Sequence, residues 1–229
     1  MKRILINIVD VLIPPRCHVC GEVLMPEERF ICRPCLGRLP RTQYQHREGN
    51  PVEMRFAGKI PFERASGHFF YSRGSAVASL IHDFKYRNYP TLARQMGRLM
   101  AEDLFPSGFL NDLDCICPVP LHWIKRLQRG YNQTERIARG ISDETGIKVS
   151  RDLVAARRHA TQTGFTPEER VRNVEGIFIL KNAEKYSGKH ILLLDDVCTT
   201  GATLTSAADA ILEAAPTSRL TLLALAATF

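Results

Sequence analysis

The stretch Ile191-Leu-Leu-Leu-Asp-Asp-Val-Cys-Thr-Thr-Gly-Ala-Thr203 decides the expected fold of this 229-residue chain. Its first four residues form a run that is too short and too apolar for anything but a central strand. Apolar residues with helical spacing follow at Leu204, Ala207, Ala208, Ile211, Leu212 and Ala215. Because residues 220–226 supply another β-prone run, the order strand, loop, helix, strand predicts an α/β domain with a parallel sheet flanked by helices.

The polar half of this stretch has the composition of an anion-binding loop. Asp195 and Asp196 stand at the carboxyl end of the predicted strand, where open α/β sheets bind their ligands. Gly201 allows the backbone to approach a ligand closely, and the start of the following helix favours an anion. Further donors to phosphate oxygens are the hydroxyls of Thr199, Thr200 and Thr203.

The two acids restrict the ligand, because carboxylates beside such a loop would repel a bare phosphate. A ribose 5-phosphate satisfies both halves of the stretch, since its phosphate suits the loop and its 2- and 3-hydroxyls can donate to the acids. The alternative interpretation is a buried strand followed by an acidic N-cap, which does not require Thr-Thr-Gly-Ala-Thr. The stretch is not a Walker loop, because it contains no Gly-Lys-Ser/Thr.

Upstream segments predict the remaining elements of this domain. Helical spacing of apolar residues occurs over residues 77–84 and again over residues 92–100, and Pro90 is placed to open the second helix. Residues 114–120 predict a short buried strand that ends in a turn made rigid by proline. Asn132 is the expected N-cap of the next helix, with Glu135 three residues later as in a capping box.

Four cysteines near the start of the chain predict a structural zinc site. Cys17 and Cys20 form one Cys-x-x-Cys pair, Cys32 and Cys35 form another, and eleven residues separate the pairs. Four thiolates satisfy the tetrahedral preference of zinc and leave no open position for catalysis. A redox pair or a disulfide would explain one pair, but not two pairs within 19 residues. His18, inside the first pair, is therefore expected to have a surface role.

These features divide the chain into three regions. Residues 1–40 hold a helix, expected over residues 4–13, and the zinc module; residues 41–66 form a polar connector; residues 67–229 form the α/β domain. The apolar start is shorter than the roughly 20 residues that span a bilayer, and no signal-peptide cleavage site follows it. Together with the odd number of seven cysteines, this predicts a cytoplasmic protein in a reducing compartment.

The net charge of +7 is concentrated between residues 122 and 172, where eleven Lys and Arg stand against six Asp and Glu. Two interpretations remain open for this basic stretch: a solvated surface, or a site for phosphates or a nucleic-acid backbone. Within it, a combination of cations, amides and a ring favours a ligand role for Arg126, Arg129, Tyr131, Asn132 and Gln133.

The segment from Asp195 to Thr203 resembles the 5-phosphoribosyl-1-pyrophosphate (PRPP) signature of type I phosphoribosyltransferases, in which two acids and a Thr-Thr-Gly-x-Thr loop follow an apolar strand. Together with the four-cysteine module, it resembles one branch, the ComF/GntX family, which is linked to DNA uptake in competent bacteria. Three further segments are similar to that family, namely residues 80–87, residues 118–122 with 126–133, and residues 157–176. The resemblance therefore covers nearly the whole chain.

The resemblance implies a type I phosphoribosyltransferase-like fold that binds PRPP with Mg²⁺. The PRPP-binding residues would be Asp195, Asp196, Val197, Cys198, Thr199, Thr200, Gly201, Ala202 and Thr203. The candidates for contacts with pyrophosphate or for a mobile flap over the site are Lys85, Arg87, Arg126, Arg129, Asn132, Gln133, Arg157 and Arg170. From the residues alone, Lys85 and Arg87 could equally lie in water.

The implied activity is transfer of the phosphoribosyl group to an acceptor that the sequence does not identify. Purine-salvage members of the superfamily carry an acid in the loop that can act as a base, but the matching position here is Thr199, so we assign no catalytic base. The alternative is a non-catalytic ligand sensor, or an adaptor of the DNA import machinery. Such an adaptor would bind single-stranded DNA and an import helicase or recombination proteins.

Overall fold

The computed structural model describes residues 14–121, 123–156 and 178–228 of the chain. The helix expected over residues 4–13 and the flap candidates Arg157 and Arg170 lie outside these ranges. Among the helices in the described ranges, none combines the length and the apolar character needed to cross a membrane.

The described residues contain strands β1 (Arg64–Phe70), β2 (Cys115–Pro118), β3 (Lys148–Val149), β4 (Leu153–Ala155), β5 (Phe178–Leu180), β6 (His190–Cys198) and β7 (Arg219–Ala227). Five of these strands form a parallel sheet in the order β1-β7-β6-β2-β3. Strands β4 and β5 pair antiparallel in a sheet of their own. The parallel α/β sheet predicted from the sequence is confirmed.

The α-helices of the described residues are α1 (Arg33–Gly37), α2 (Glu53–Phe56), α3 (Ala76–Tyr86), α4 (Pro90–Leu104), α5 (Trp123–Arg129), α6 (Gln133–Thr145) and α7 (Ala202–Ala214). Short 3-10 helices lie at Tyr44–His46, Phe105–Ser107 and Ala183–Tyr186. Helix α3 begins where the Ser75 side chain accepts a hydrogen bond from the N–H of Ala78 at 3.2 Å. Helix α4 begins at Pro90, as the sequence predicts, because proline is tolerated in the first helical turn.

Strand β6 lies between β2 and β7 at the centre of the sheet. Its side chains alternate between two cores: Leu192 and Leu194 pack with α3, α4, α6 and the cysteine module, whereas Ile191 and Leu193 pack with α7. The strand predicted over residues 191–194 is longer than expected. It runs through both acids to Cys198, because β7 continues to offer pairing partners beyond them.

Helices α4 and α6 touch through their backbones. A Cβ atom on Gly97 would lie 2.0 Å from the carbonyl oxygen of Ile137, and one on Gly140 would lie 2.0 Å from that of Arg94. Only glycine fits at either position. This close contact fixes the position of α6 relative to α4. Helix α6 begins at Gln133, beside the acids of β6.

Residues 41–66, expected as a connector, pack against the sheet domain. Asn50 is fully buried and donates hydrogen bonds to three backbone carbonyls, the tightest at 2.9 Å to Ala65. Val52 and Phe56 are buried in the same core as α7, and β1 begins at Arg64. The domain boundaries at residues 40 and 66 stay predictions, but the segment between them is not separated from the sheet.

Asn132 is the N-cap of α6, as predicted: its Oδ1 accepts from the N–H of Thr134 at 3.0 Å. The prediction of a capping box is wrong. Glu135 does not return to the cap residue but accepts hydrogen bonds from Arg139 and Arg151, at 3.0 and 2.6 Å. The charge of two guanidinium groups offers the carboxylate stronger partners than one backbone amide.

Candidate functional site

The four cysteines of the N-terminal module come together in space. Their Sγ atoms all lie within 4.8 Å of one another, and those of Cys20 and Cys32 are 3.7 Å apart. A tetrahedron with Zn–S distances of about 2.3 Å has sulfur atoms about 3.8 Å apart, so the cluster fits zinc. Burial opposes ionisation of Cys17, but backbone N–H donors, among them Cys20, Cys32 and Val19, lower its pKa to about 6. Burial and the neighbouring cysteines raise the pKa of Cys35 to about 12, so zinc binding must release protons from the cluster.

The module packs on helix α3. Leu24, Ile31 and Leu39 belong to the same apolar core as Leu80 and Phe84. His18 does not have the expected surface role: its side chain is 13% exposed, and its Nδ1 donates a hydrogen bond of 2.6 Å to Oδ2 of Asp83 on α3. The sequence carries no local signal for this pair, which is separated by 65 residues.

Residues 199–201 form the anion loop, which joins the end of β6 to the N-terminus of α7. Gly201 is the N-cap of α7 and has a φ angle of +84°, a left-handed conformation that glycine adopts without strain. A Cβ atom there would lie 2.8 Å from the Phe56 ring. Thr199 and Thr200 are exposed beside it, so their hydroxyls and the helix N-terminus face solvent together.

The two acids of β6 differ in their surroundings. Asp196 is 6% exposed and is held by two side chains: Lys85 Nζ lies 2.9 Å from its Oδ2, and Gln133 Nε2 donates to the same oxygen at 2.6 Å. Asp195 is partly exposed, and its Oδ1 accepts from the N–H of Asp196 at 2.8 Å. Three segments that are far apart in the sequence, around Lys85, Gln133 and Asp196, therefore meet at one point.

Asp195 has a perturbed acidity. Burial, and then the adjacent carboxylate of Asp196, raise the pKa of Asp195 to about 7, while Lys85 acts in the opposite direction. Near neutral pH this carboxyl group can therefore gain or lose a proton, as groups at functional sites often do.

A cleft of about 450 Å³ opens over the acids and the loop. Residues from seven elements line it, including Lys85, Leu121, Arg129, Gln133, Asp195 and Thr203. An open cleft lined by both cations and carboxylates suits a ligand that carries both phosphates and hydroxyls.

The other sequence candidates have different surroundings. Arg129 stacks over the Tyr86 ring, 5.0 Å from its centroid, on the wall of the same cleft. Arg126 lines a neighbouring cleft of about 340 Å³ with Glu135 and Arg151. Arg87 is exposed and pairs with Asp83 at 3.3 Å, on the side of α3 that faces the zinc module.

Asn132 contributes to the shape of the site. Besides capping α6, it donates from Nδ2 to the carbonyl of Val119 at 3.1 Å, and so ties the proline turn after β2 to the start of α6. This is a role in positioning the backbone of the cleft.

Arg55 is a further residue of the site, and no sequence pattern predicts it. Its guanidinium donates to the carbonyl of Cys198 at 2.9 Å and also to those of Thr199 and Thr228. It fastens the backbone of the anion loop to the end of β7 and brings a positive charge close to the loop. The contacts span 143 to 173 residues of sequence, so no local pattern could have revealed them.

The sheet, the anion loop at the end of its central strand and the four-cysteine module define a phosphoribosyltransferase-like α/β domain joined to a structural zinc module. Comparison with known families agrees with this class. Residues 116–227 match the family described as "Phosphoribosyl transferase domain", and residues 8–54 match "Double zinc ribbon domain".

Curated relatives have names that refer to competence and to the use of DNA. The chain is 29% identical over 203 residues to "Competence protein F" of Haemophilus influenzae, which covers 82% of this chain and 87% of that protein. It is 28% identical over 141 residues to "DNA utilization protein YhgH" of Salmonella typhi and of Escherichia coli (strain K12). These alignments cover 60% of this chain and 61% of each relative. These matches confirm the resemblance to the ComF/GntX family.

Solved structures with a similar fold include a "glutamine phosphoribosylpyrophosphate (PRPP) amidotransferase" from B. subtilis, at 15% identity and a TM-score of 0.44. That similarity covers 63% of this chain and 30% of the solved chain. The L. donovani hypoxanthine-guanine phosphoribosyl transferase is similar at 18% identity and a TM-score of 0.34, over 61% of this chain and 68% of that one.

Proposed function

We propose that this protein binds PRPP with Mg²⁺ in the cleft over β6 and transfers the phosphoribosyl group to an acceptor. One observation carries the proposal: two carboxylates at the end of the central strand adjoin a Thr-rich loop at a helix N-terminus, and Lys85 and Gln133 converge on one of them. Ribose hydroxyls are the groups that the acids can accept from, and a phosphate is what the loop can bind.

In the proposed reaction, a nucleophile on the acceptor forms a bond to C1 of the ribose. The bond from C1 to the pyrophosphate oxygen breaks, and pyrophosphate leaves with the bonding electrons. The acceptor's proton passes to solvent or to the pyrophosphate, because Thr199 cannot take it at neutral pH. Asp195 and Asp196 orient the ribose, and Arg129 on the cleft wall offsets the charge of the leaving group.

Magnesium fits the donor set, since it prefers one or two carboxylates together with phosphate oxygens. When bound, it would neutralise charge on the pyrophosphate. Lys85 and Gln133 hold the Asp196 carboxylate in its orientation, and Arg55 keeps the loop backbone in the conformation that accepts the 5-phosphate.

Calorimetry with PRPP and Mg²⁺ tests the ligand. The double variant Asp195→Asn/Asp196→Asn is expected to bind at least about tenfold more weakly, because charge-assisted hydrogen bonds to the ribose are lost. Asp209→Asn is the matched control, since Asp209 is an exposed acid on α7 outside the cleft. Equal affinity of the double variant and the wild type would show that the ligand assignment is wrong.

Release of pyrophosphate tests the transfer. Incubation with PRPP and a panel of purines, pyrimidines, amines and single strands is expected to release pyrophosphate with at least one acceptor. Binding of PRPP without release from any of them would favour the sensor alternative over the enzyme.

A second candidate function, binding of single-stranded nucleic acid, is favoured by the surface beside the cleft. Tyr86 is 66% exposed, with the Arg129 guanidinium over its ring and the His82 ring 5.0 Å away. In proteins that bind single strands, bases stack on exposed rings and the phosphate backbone lies against neighbouring cations. Such binding, alone or with an import helicase or recombination proteins, should weaken steeply between about 50 and about 200 mM salt; affinity that ignores salt would count against it.

We also propose a reducing, cytoplasmic location. All seven cysteines lie in the described residues, where none forms a disulfide, and the zinc module requires its four as thiolates. Fractionation of cells that produce the protein would test this location, and recovery in an oxidising compartment would contradict it.

A further inference from the structure

Asp83 is a buried acidic residue where helix α3 meets the zinc module. It lies on α3, is 4% exposed, and accepts the 2.6 Å hydrogen bond from Nδ1 of His18 on one oxygen, while Arg87 lies 3.3 Å from the other. A buried carboxylate is costly unless it is hydrogen-bonded and paired. Its principal partner comes from the zinc module, so the module and α3 depend on each other at this point.

The zinc knuckle fixes the position of His18. The residue lies between Cys17 and Cys20, and its ring packs edge-on against Tyr89 with centroids 4.6 Å apart. Because metal binding holds the backbone between the two cysteines, it also holds the imidazole that reaches Asp83.

Helix α3 transmits this contact to the cleft. Asp83 and Lys85 are two residues apart, and residues at this spacing project from different sides of a helix. Asp83 therefore faces the zinc module while Lys85 Nζ reaches Asp196, 2.9 Å away. Between them, Phe84 is fully buried, and its carbonyl accepts a hydrogen bond from the Tyr131 hydroxyl.

We propose that the zinc module is a brace for the PRPP site: His18 and Asp83 are positioning residues that hold α3 so that Lys85 stays on Asp196. This inference rests on the proposed function, because it assigns the brace an effect on PRPP binding. Lysine carries its charge on a flexible stem, so the place of its ammonium group depends on where the helix backbone is held. A shift of about 1 Å in such a group is enough to impair a site.

His18→Ala and Asp83→Ala test the brace by calorimetry with PRPP and Mg²⁺. Each is expected to bind about tenfold more weakly, the loss associated with one hydrogen bond to a charged group. Zinc content should stay at one per chain, because His18 is not a ligand. His18→Asn, whose amide N–H can replace the imidazole donor, should recover part of the affinity. Glu27→Ala, an exposed position of the same module, is the control and should bind as the wild type does.

A Lys85→Ala background separates a brace from a general loss of structure. If His18 acts through Lys85, then His18→Ala adds no further loss of affinity to Lys85→Ala, because residues that act through one another are not additive. An equal loss in both backgrounds, or unchanged affinity in both His18→Ala and Asp83→Ala, overturns the brace while leaving PRPP binding intact. Absence of PRPP binding by the wild type overturns the proposed function itself, and with it the effect assigned to the brace.

Discussion

At the scale of a single residue, the raised pKa of Asp195 makes the stability of the folded protein depend on pH. Its pKa is raised from an ordinary value of 3.8 to about 7 by burial and by Asp196. Between these two values the folded protein holds a proton that the unfolded chain releases. The free energy of unfolding therefore falls as pH rises through this window and levels off above about pH 7, which is the opposite of the usual behaviour of an aspartate.

Asp195→Asn is predicted to gain thermal stability relative to the wild type as pH rises. At about pH 5 both proteins carry a neutral group at this position, whereas at about pH 8 only the wild type carries a charge beside Asp196. The difference in melting temperature should change in favour of Asn by about 2–4 °C for each kcal/mol by which the ionised Asp195 destabilises the fold. Differential scanning calorimetry in the absence of ligand measures this.

Asp143→Asn is the control for that experiment. Hydrogen bonds from Arg94, and from Arg98 as well, lower the pKa of Asp143 to about 2, despite some opposition from burial. Since that pKa and the ordinary one both lie below pH 5, the effect of Asp143→Asn should not change between the two conditions. If the difference in melting temperature between Asp195→Asn and the wild type is also the same at both pH values, the raised pKa of Asp195 is contradicted.

At the scale of elements, the contact between α4 and α6 determines where Gln133 begins its helix beside Asp196. Gly97 and Gly140 allow the two backbones to touch, and a methyl group at either position would collide with a carbonyl oxygen at 2.0 Å. The helices cannot separate without moving Gln133 away from the acid to which it donates.

Gly97→Ala is therefore predicted to destabilise the fold by about 1–3 kcal/mol or more, the usual cost of overpacking. It should also weaken PRPP binding, because α6 moves with Gln133. Thermal unfolding and calorimetry measure the two effects. Gly37→Ala, where a Cβ atom meets nothing within 4 Å, is the matched control and should be neutral. A Gly97→Ala protein as stable as this control would show that the helices can separate at little cost.

At the scale of the whole molecule, the zinc module and the sheet domain share one apolar core. Cys17, Leu24 and Ile31 pack in the same cluster as Phe84 of α3 and Leu192 of β6. Unfolding of the module therefore exposes apolar surface of the sheet domain to water. Chains that share a core in this way tend to unfold as one unit.

Removal of zinc by a chelator is predicted to lower the unfolding temperature of the entire chain, beyond residues 14–40, because metal binding contributes folding free energy. Circular dichroism should show one transition that shifts downward and returns on addition of zinc. The same chelator already saturated with zinc is the control. A sheet domain that melts at an unchanged temperature after zinc loss would show that the module is energetically separate.

The sequence by itself determined the elements of this protein. The parallel sheet, the helices opened by Pro90 and capped by Asn132, and the four-cysteine cluster were all predicted, because periodicity, caps and ligand spacing are local properties. Binding of PRPP by residues 195–203 remains a prediction. The structure adds the cleft that lies over these residues.

Only the tertiary structure decided which side chains meet. It put His18 on Asp83, Lys85 and Gln133 on Asp196, and Arg55 under the anion loop. It also replaced the capping role of Glu135 by pairing with two arginines. These partners lie on different elements, and the register in which helices and strands pack brings them together. That register depends on the whole core, including contacts such as Gly97 with Gly140, and no local pattern of residues contains it.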